Sequence, residues 1–180
     1  VGKSGCGNYS GNMTGFFMRK YLNESMPQPE VVENYSEQHW IEFRYAEALL
    51  NGVEAAVEMG QHLDDALLWI NDIRKRADIK LLAQDDLTVD RVRHERRIEL
   101  AFENHTYWDL RRWRIADKEI EAKQYTALYP YFDINKQKYV YEEANANKYY
   151  YTFHTKMYYE RIPDGEIAKN EKLIQNPYYN

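Results

Sequence analysis

The sequence predicts a mainly α-helical protein built from helical hairpins, with a loop-rich, tyrosine-rich C-terminal region. Apolar residues recur with helical spacing between residues 37 and 117. Residues 1–36 are instead rich in Gly, Asn, Ser and Pro without a sustained period, which indicates loops. From residue 118 to residue 180 the helical period fades and tyrosines crowd the chain. At 180 residues, these three parts fit a single domain with one core.

The loop-rich first part predicts little regular structure. We expect only a short strand around Gly15 to Tyr21. Cys6 is the only cysteine, which excludes an internal disulfide. Because the chain shows no start methionine, no apolar leader and no clear first element, we expect it to be the tail of a longer protein.

Two amphipathic helices with a short connection are predicted next. The apolar stripe of the first consists of Ala46, Leu49, Leu50, Val53 and Val57, and that of the second consists of Leu63, Ala66, Leu67, Ile70, Ile73 and Ala77. Gly60 lies between the stripes, where a left-handed C-terminal cap is expected. Because the connection is so short, the helices should form an antiparallel hairpin. Small residues such as Ala56 and Ala66 would let the helices approach closely, as in tetratricopeptide units.

A third helix should begin after Thr88, whose hydroxyl can cap it. Its predicted apolar stripe consists of Ile98, Ala101, Phe102 and His105. We expect its charged residues to face solvent or to pair along the helix, as Arg91 can with Glu95. Arg96 and Glu99 are also close enough along the helix to pair.

A fourth, short helix carries large aromatic side chains. Thr106 with Asp109 three residues later fits a capping box at its start. Trp108, Leu110 and Trp113 follow, and we expect them to be buried anchors rather than a ligand platform, because tryptophan buries a large area.

The segment HERRI at His94 comes within one residue of the HExxH zinc motif. The second metal-binding position is taken by Ile98, which has no lone pair to donate. The next histidine, His105, lies about 16 Å further along a helix, at roughly 1.5 Å per residue. One metal ion cannot contact both histidines, so we expect no zinc site and no metal ligand here.

Composition excludes several function classes. The formal net charge is −5 with acidic and basic residues interspersed, which argues against nucleic-acid binding. No apolar run is long enough to cross a bilayer. No set of nucleophile, base and orienting group can be identified, so neither catalytic residues nor a cofactor are predicted.

The tyrosine-rich tail allows two interpretations. Tyrosines occur in YPYF at Tyr129, KYVYEEA at Lys138, KYYYTFH at Lys148 and MYYE at Met157. Their rings can stack on sugars, or they can fill gaps in a loop-rich shell, and the second interpretation is favoured. We expect loops, short helices or extended pieces here, with a turn at Pro163.

Five segments of the chain carry motifs in a consistent order. RYAEALLNGVEAAVEMG begins at Arg44, ALLWINDIRKRADI at Ala66 and LTVDRVRHERRIELAFENHTYWDLRRWR at Leu87. TGFFMRKYL at Thr14 precedes them, and IPDGEIAKNEKLIQNPYYN at Ile162 follows them. Together they resemble the C-terminal half of the SusD/RagB family over nearly the whole chain. On this resemblance the segment from His94 to Arg114 is a structural helix followed by a short tryptophan-bearing helix, and we expect its Arg and Glu side chains to tie helices to each other.

The sequence departs from the family pattern at three positions. Asn104 stands where the family usually has glycine, Glu171 stands where proline is common, and Tyr178 stands where glycine is common. We expect these departures to alter turns rather than chemistry.

The resemblance implies an α-α superhelix of tetratricopeptide-like hairpins, of which residues 1–180 would be the C-terminal part. It also implies a non-catalytic lipoprotein of the Bacteroidota outer membrane that captures oligosaccharides, or in some members peptides. Such a protein covers a SusC-type TonB-dependent transporter and is held at the cell surface by a lipid anchor upstream of this chain. The family's sugar-binding aromatic residues lie mostly upstream, so no ligand-binding residue is assigned in this chain.

Two other function classes remain open from the sequence. A stand-alone tetratricopeptide adaptor would use the same hairpin to bind a partner protein, but it would show several repeats. A glycoside hydrolase would explain the aromatic and acidic residues, but it would need two carboxyl groups about 5 to 9.5 Å apart in a cleft.

Overall fold

The computed structural model describes residues 18–33, 36–146 and 149–179. Cys6 and most of the strand expected around Gly15 to Tyr21 lie outside these residues. The part of that segment that is described, from residue 18 onward, forms no strand.

Two compact units make up the chain. The helical unit comprises Lys20–Asp109, and the C-terminal unit comprises Leu110–Asn180 together with Val1–Arg19. The helices are α1 Tyr45–Met59, α2 Leu63–Arg76, α3 Val89–Glu99, α4 His105–Arg112, α5 Ala116–Ile120 and α6 Asp164–Lys169. The strands are β1 Thr126–Asp133 and β2 Lys138–Asn145, and short 3-10 turns occur at Gln28–Glu30, Gln84–Asp86 and Thr155–Tyr158.

The predicted hairpin of α1 and α2 is confirmed. Gly60 ends α1 with φ 65°, in the left-handed region. Its N–H donates to Val57 O at 3.2 Å and the next N–H, of Gln61, donates to Ala56 O at 3.1 Å, which is the Schellman pattern. A Cβ on Gly52 would lie 2.9 Å from the Trp69 ring, so glycine at that position lets α1 and α2 pack closely.

The core of the helical unit lies between α1, α2 and α3. Most residues of the two predicted stripes are buried or half-buried, although Ala77 at the end of the second is exposed. Two clusters form the core: Val53, Ala56, Ala66, Ile70, Leu82, Leu87 and Val92 in one, and Leu50, Ile73 and Leu100 in the other. The helical period therefore predicted the buried faces of α1 and α2 correctly.

The predicted apolar stripe of α3 is wrong. Thr88 does cap the helix, since its Oγ1 accepts from Arg91 N at 3.2 Å. However, α3 ends at Glu99, and Phe102 just beyond it has a left-handed φ of 65°. Ile98 and Phe102 are 60% and 63% exposed. The predicted stripe continues past the end of the helix, whereas the residues that are buried are Val92, Glu95, Arg96 and Leu100.

The expectations for α4 are met only in part. The helix begins at His105, so Thr106 lies inside it rather than at the N-cap position. Leu110 is buried and Trp113 half-buried. Trp108, by contrast, is 65% exposed, and its ring meets that of Tyr107 edge to face at 4.9 Å. The expectation that Trp108 is a buried anchor is wrong for the residues described.

Two departures from the family pattern fall at left-handed residues. Asn104 and Tyr178 replace glycines of the pattern, and their φ values are 64° and 70°. Glycine adopts this conformation without steric cost, and asparagine tolerates it better than tyrosine does. These substitutions therefore affect the backbone of turns, as expected.

The C-terminal unit has a small core around α5. Leu110, Ala116 and Phe153 are buried together, and Ile120, Met157 and Tyr158 pack against them among other half-buried side chains. The N–H of Ala122 donates to Tyr151 O at 2.9 Å. These contacts hold the segment around Tyr151 and Phe153 against α5 and the residues that follow it.

A β-hairpin is the largest regular element of the tyrosine-rich tail. Strands β1 and β2 pair antiparallel, with Asp133 opposite Lys138 next to the turn. The Asp133 carboxylate accepts from the N–H groups of Asn135 and Lys136 at 3.0 and 3.1 Å, which shapes the turn. The expected extended pieces are thus one continuous two-stranded sheet.

Candidate functional site

The family motifs build a cluster of charged side chains in the helical unit. Its centre is the Glu103 carboxylate, whose side chain is 1% exposed. Arg44 binds it with both Nε and Nη2, at 2.8 and 3.0 Å, and Lys20 forms a further ion pair with it. Burial alone would raise the pKa of Glu103, but the hydrogen bonds from Arg44 and Lys20 outweigh it and lower the pKa.

Arg44 joins a second carboxylate to this cluster. Its Nη1 donates to Glu99 Oε1 at 2.6 Å, and Arg76 Nη2 donates to both oxygens of Glu99 at 2.6 and 2.7 Å. Burial tends to lower the pKa of Arg44, but the hydrogen bonds to Glu103 and Glu99 raise it overall. Glu99 therefore links the start of α1 to the end of α2.

Glu95 and Arg96 of α3 also bind residues of other elements. Arg74 of α2 forms an ion pair with Glu95, with side chains 12% and 7% exposed. Arg96 donates to Asp109 Oδ2 at 2.8 Å and to Asn51 Oδ1 at 2.8 Å. The partners of Glu95 and Arg96 lie on α1, α2 and α4, so these side chains tie helices to each other, as the family-like segment indicates, and do not pair along α3.

The zinc-like segment has a structural role. Glu95, which would be the general base of an HExxH motif, is held by Arg74. His94 and Ile98 are exposed on the surface of α3. Among the described residues, no group of three or more His, Cys, Asp or Glu side chains is arranged to hold a metal ion.

In the C-terminal unit, the Arg114 guanidinium contacts two tyrosine rings. Its guanidinium carbon is 4.9 Å from the centroid of Tyr158 and 4.7 Å from that of Tyr159. The Tyr158 hydroxyl donates to Asp117 Oδ1 at 2.6 Å. This hydrogen bond is the main reason that the pKa of Asp117 is lowered, whereas burial, followed by the same bond, raises the pKa of Tyr158.

The C-terminal motif that begins at Ile162 forms hydrogen bonds within the C-terminal unit. The Gln175 side chain accepts from Ile162 N at 2.9 Å and donates to Ile162 O at 2.8 Å. Asn176 Nδ2 donates to Glu160 O at 2.5 Å, and the Tyr179 hydroxyl donates to Tyr159 O at 3.0 Å. The family-like residues here therefore hold the extended segment 159–162 in place.

Exposed aromatic side chains are the remaining feature suited to binding. Many tail tyrosines are solvent-exposed, among them Tyr139, Tyr141, Tyr149, Tyr150 and Tyr151. The interpretation that tail tyrosines fill gaps is therefore wrong for most of those described, although Tyr158 is packed. Sequence reasoning missed which tyrosines are exposed, and the even spacing of KYVYE was the available signal.

The helical unit also has a cavity of about 340 Å³ beside α1 and α2. Tyr45, Leu49 and Ile73 give it a largely apolar lining, with Asp72 and Arg76 among the polar residues. Within the described ranges, every helix is too short or too polar to span a membrane.

The fold and these contacts define a helical-hairpin protein whose charged motif residues join its own elements. The chain belongs to the SusD family, whose model matches residues 1–179. The resemblance seen in the sequence motifs is thereby confirmed.

Two relatives show the extent of the likeness. The SusD-like protein P2 of Formosa agariphila is 27% identical, over 78% of this chain and 26% of that protein. The crystal structure of a SusD-like protein from Bacteroides fragilis matches with a TM-score of 0.59 and 30% identity, over 78% of this chain and 26% of that chain. The match confirms the mainly helical, tetratricopeptide-like fold class, and the chain spans about a quarter of the length of these relatives.

Proposed function

We propose that residues 1–180 are the C-terminal part of a SusD-like domain in a non-catalytic, nutrient-binding protein. The protein captures oligosaccharides for import through a SusC-type TonB-dependent transporter. Family membership across residues 1–179 is the observation that carries the proposal. Because the chain spans about a quarter of its relatives, the proposal concerns the protein to which these residues belong.

The arginine partners of the motif carboxylates support a binding role rather than a catalytic one. Glu103, Glu99 and Asp109 each form an ion pair with at least one arginine. A general acid needs a raised pKa near the working pH, and that of Glu103 is lowered. These side chains suit a scaffold better than a hydrolytic centre.

Capture and localisation follow from the same proposal. Ligand contacts made only in a closed arrangement with the transporter would shift the population toward closure, without covalent chemistry. We propose a lipid anchor on the whole protein, which holds it at the outer-membrane surface as lipidation can without a transmembrane helix.

Calorimetric titration of the whole protein against a panel of oligosaccharides, together with analysis of the products, tests the proposal. We expect binding of a glycan that stays intact. Release of shorter sugars would overturn the non-catalytic assignment. Binding of peptides but not glycans would keep the nutrient-binding role and replace its ligand class.

A further inference from the structure

One face of the β-hairpin carries an open row of aromatic side chains. Residues opposite each other in an antiparallel pair project to the same face, and alternate residues share that face. The register places Pro130 opposite Tyr141 and Phe132 opposite Tyr139. The rings of Phe132 and Tyr139 meet at 5.2 Å and 63°, which shows that they lie on one side. We call these four residues the aromatic face.

The two tyrosines of the aromatic face are exposed, whereas Pro130 and Phe132 are half-buried. Tyr139 and Tyr141 are 59% and 62% exposed, and β2 is exposed along its whole length. Neither tyrosine hydroxyl has a hydrogen-bond partner among the described residues. Aromatic side chains contribute most to stability when their large area is buried, so a row left open to solvent indicates a ligand surface.

Polar residues extend the same face toward the base of the hairpin. Glu143 follows Tyr139 and Tyr141 at the same two-residue interval, so the three residues span about 13 Å at roughly 3.3 Å per residue. The side chain of Glu143 has no ion-pair or hydrogen-bond partner among the described residues. Its carboxylate and the tyrosine hydroxyls are available to hydroxyl groups of a ligand.

The charge of this face selects the ligand. The whole side of the hairpin that carries the aromatic face includes one acid and no base; its residues are Thr126, Leu128, Pro130, Phe132, Tyr139, Tyr141, Glu143 and Asn145. Lys138 lies opposite Asp133 in the strand register. Both residues belong to the other face of the hairpin. An anionic ligand would be repelled by Glu143, and a neutral ligand rich in hydroxyls would not.

We propose that the aromatic face binds a neutral oligosaccharide, with sugar rings stacked on Tyr139 and Tyr141 and hydroxyls bound by Glu143. This inference rests on the proposed function and assigns its ligand to a site within the described residues. The open pair of tyrosines suits successive sugar rings, because each ring presents one apolar face and a rim of hydroxyls.

The test compares two double variants of the 180-residue protein. Tyr139→Ala with Tyr141→Ala removes the stacking rings, and Tyr150→Ala with Tyr178→Ala removes two tyrosines that are similarly exposed, at 63% and 69%, outside the hairpin. The probes are cellohexaose, maltohexaose, xylohexaose and mannohexaose, with hexagalacturonate as the anionic comparison. Titration calorimetry measures binding, and circular dichroism checks that each variant folds.

We expect the protein to bind a neutral probe more tightly than hexagalacturonate, and the hairpin variant to bind at least about tenfold more weakly. The control variant should stay within about twofold of the wild type. Unchanged binding by a folded hairpin variant would overturn this site and leave the proposed function standing, as would a preference for hexagalacturonate. If the protein bound none of the oligosaccharides, both this site and the oligosaccharide-binding role of these residues would fail.

Discussion

At the scale of single residues, Glu103 organises the helical unit. Its buried carboxylate is bound by Arg44 and Lys20 from positions far away in the sequence. Replacing a buried ion pair by apolar residues can be neutral, but removing one partner leaves the other charges uncompensated. The contribution of Glu103 to the free energy of unfolding should therefore appear when Glu103 alone is replaced.

We expect Glu103→Gln to lower the free energy of unfolding by about 3 kcal/mol, the lower end for a buried pair, because Arg44 and Lys20 keep some contact with water. Urea denaturation measures the loss. Glu58→Gln is the matched control, since Glu58 pairs with Arg93 at 3.1 Å but is 49% exposed. The control should lose less than about 1 kcal/mol. Equal losses would contradict the assignment of Glu103 as the centre of the network.

Tyr178 carries backbone strain that its sequence context reveals. The residue has φ 70° where the family pattern has glycine, and its side chain is 69% exposed. We expect Tyr178→Gly to raise the free energy of unfolding by roughly 0.5 to 1 kcal/mol. Glycine relieves the left-handed strain, but its greater conformational entropy in the unfolded chain offsets part of that gain. Tyr178→Ala removes the ring and keeps the strain, so its thermal midpoint should stay near that of the wild type. A gain in both variants would locate the effect in the side chain.

At the scale of elements, the end of α1 depends on backbone conformation. Gly60 has φ 65° and open space where a Cβ would lie, so only the backbone opposes a larger residue. We expect Gly60→Ala to destabilise the protein by about 1 to 2 kcal/mol. Gly165→Ala, within α6 and also in open space, should be neutral or stabilising by up to about 1 kcal/mol. Denaturation midpoints that shift equally would contradict the left-handed cap.

Helix α4 carries one buried and one exposed large apolar side chain within one turn. Leu110 is 8% exposed and Trp108 is 65% exposed. Leu110→Ala should cost about 2 to 5 kcal/mol, the usual range for a core leucine. Trp108→Ala should cost less than about 1 kcal/mol, because most of the ring is exposed to solvent and its removal loses few contacts with the protein. A larger loss for the tryptophan variant in urea would show that Trp108 is a core residue after all.

At the scale of the whole molecule, each unit contains a carboxyl whose pKa is lower than its ordinary value. In Glu103 the hydrogen bonds from Arg44 and Lys20 overcome the opposing effect of burial, and in Asp117 the hydrogen bond from Tyr158 is the main cause. A carboxyl with a lowered pKa binds fewer protons in the folded state than in the unfolded state. Acid therefore favours unfolding.

We expect this part of the stability to be complete above the unfolded pKa values, about 4.3 for Glu and 3.9 for Asp, and to be lost as pH falls through the folded values. The double variant Glu103→Gln with Asp117→Asn should show a flatter dependence of the unfolding free energy on pH in that window. Urea titrations from neutral pH downward measure the slope. An unchanged slope would show that other carboxyls dominate acid sensitivity.

The sequence predicted the features that depend on near neighbours. The stripes of α1 and α2, the cap at Gly60 and the cap at Thr88 are determined within a few residues, so period and residue type suffice. The family followed from motifs in order along the chain. The end of α3 was not predicted, because the left-handed backbone at Phe102 is set by its surroundings rather than by its residue type.

Only the tertiary structure decided which groups meet and which stay exposed. Arg44 and Glu103 are 59 residues apart, and nothing in their local sequence distinguishes that pairing from a pairing along α3. The exposure of Trp108 and of the aromatic face depends on which surfaces other elements cover. Charge pairing and burial are set by distance in space, whereas helical periods and caps are set by distance along the chain.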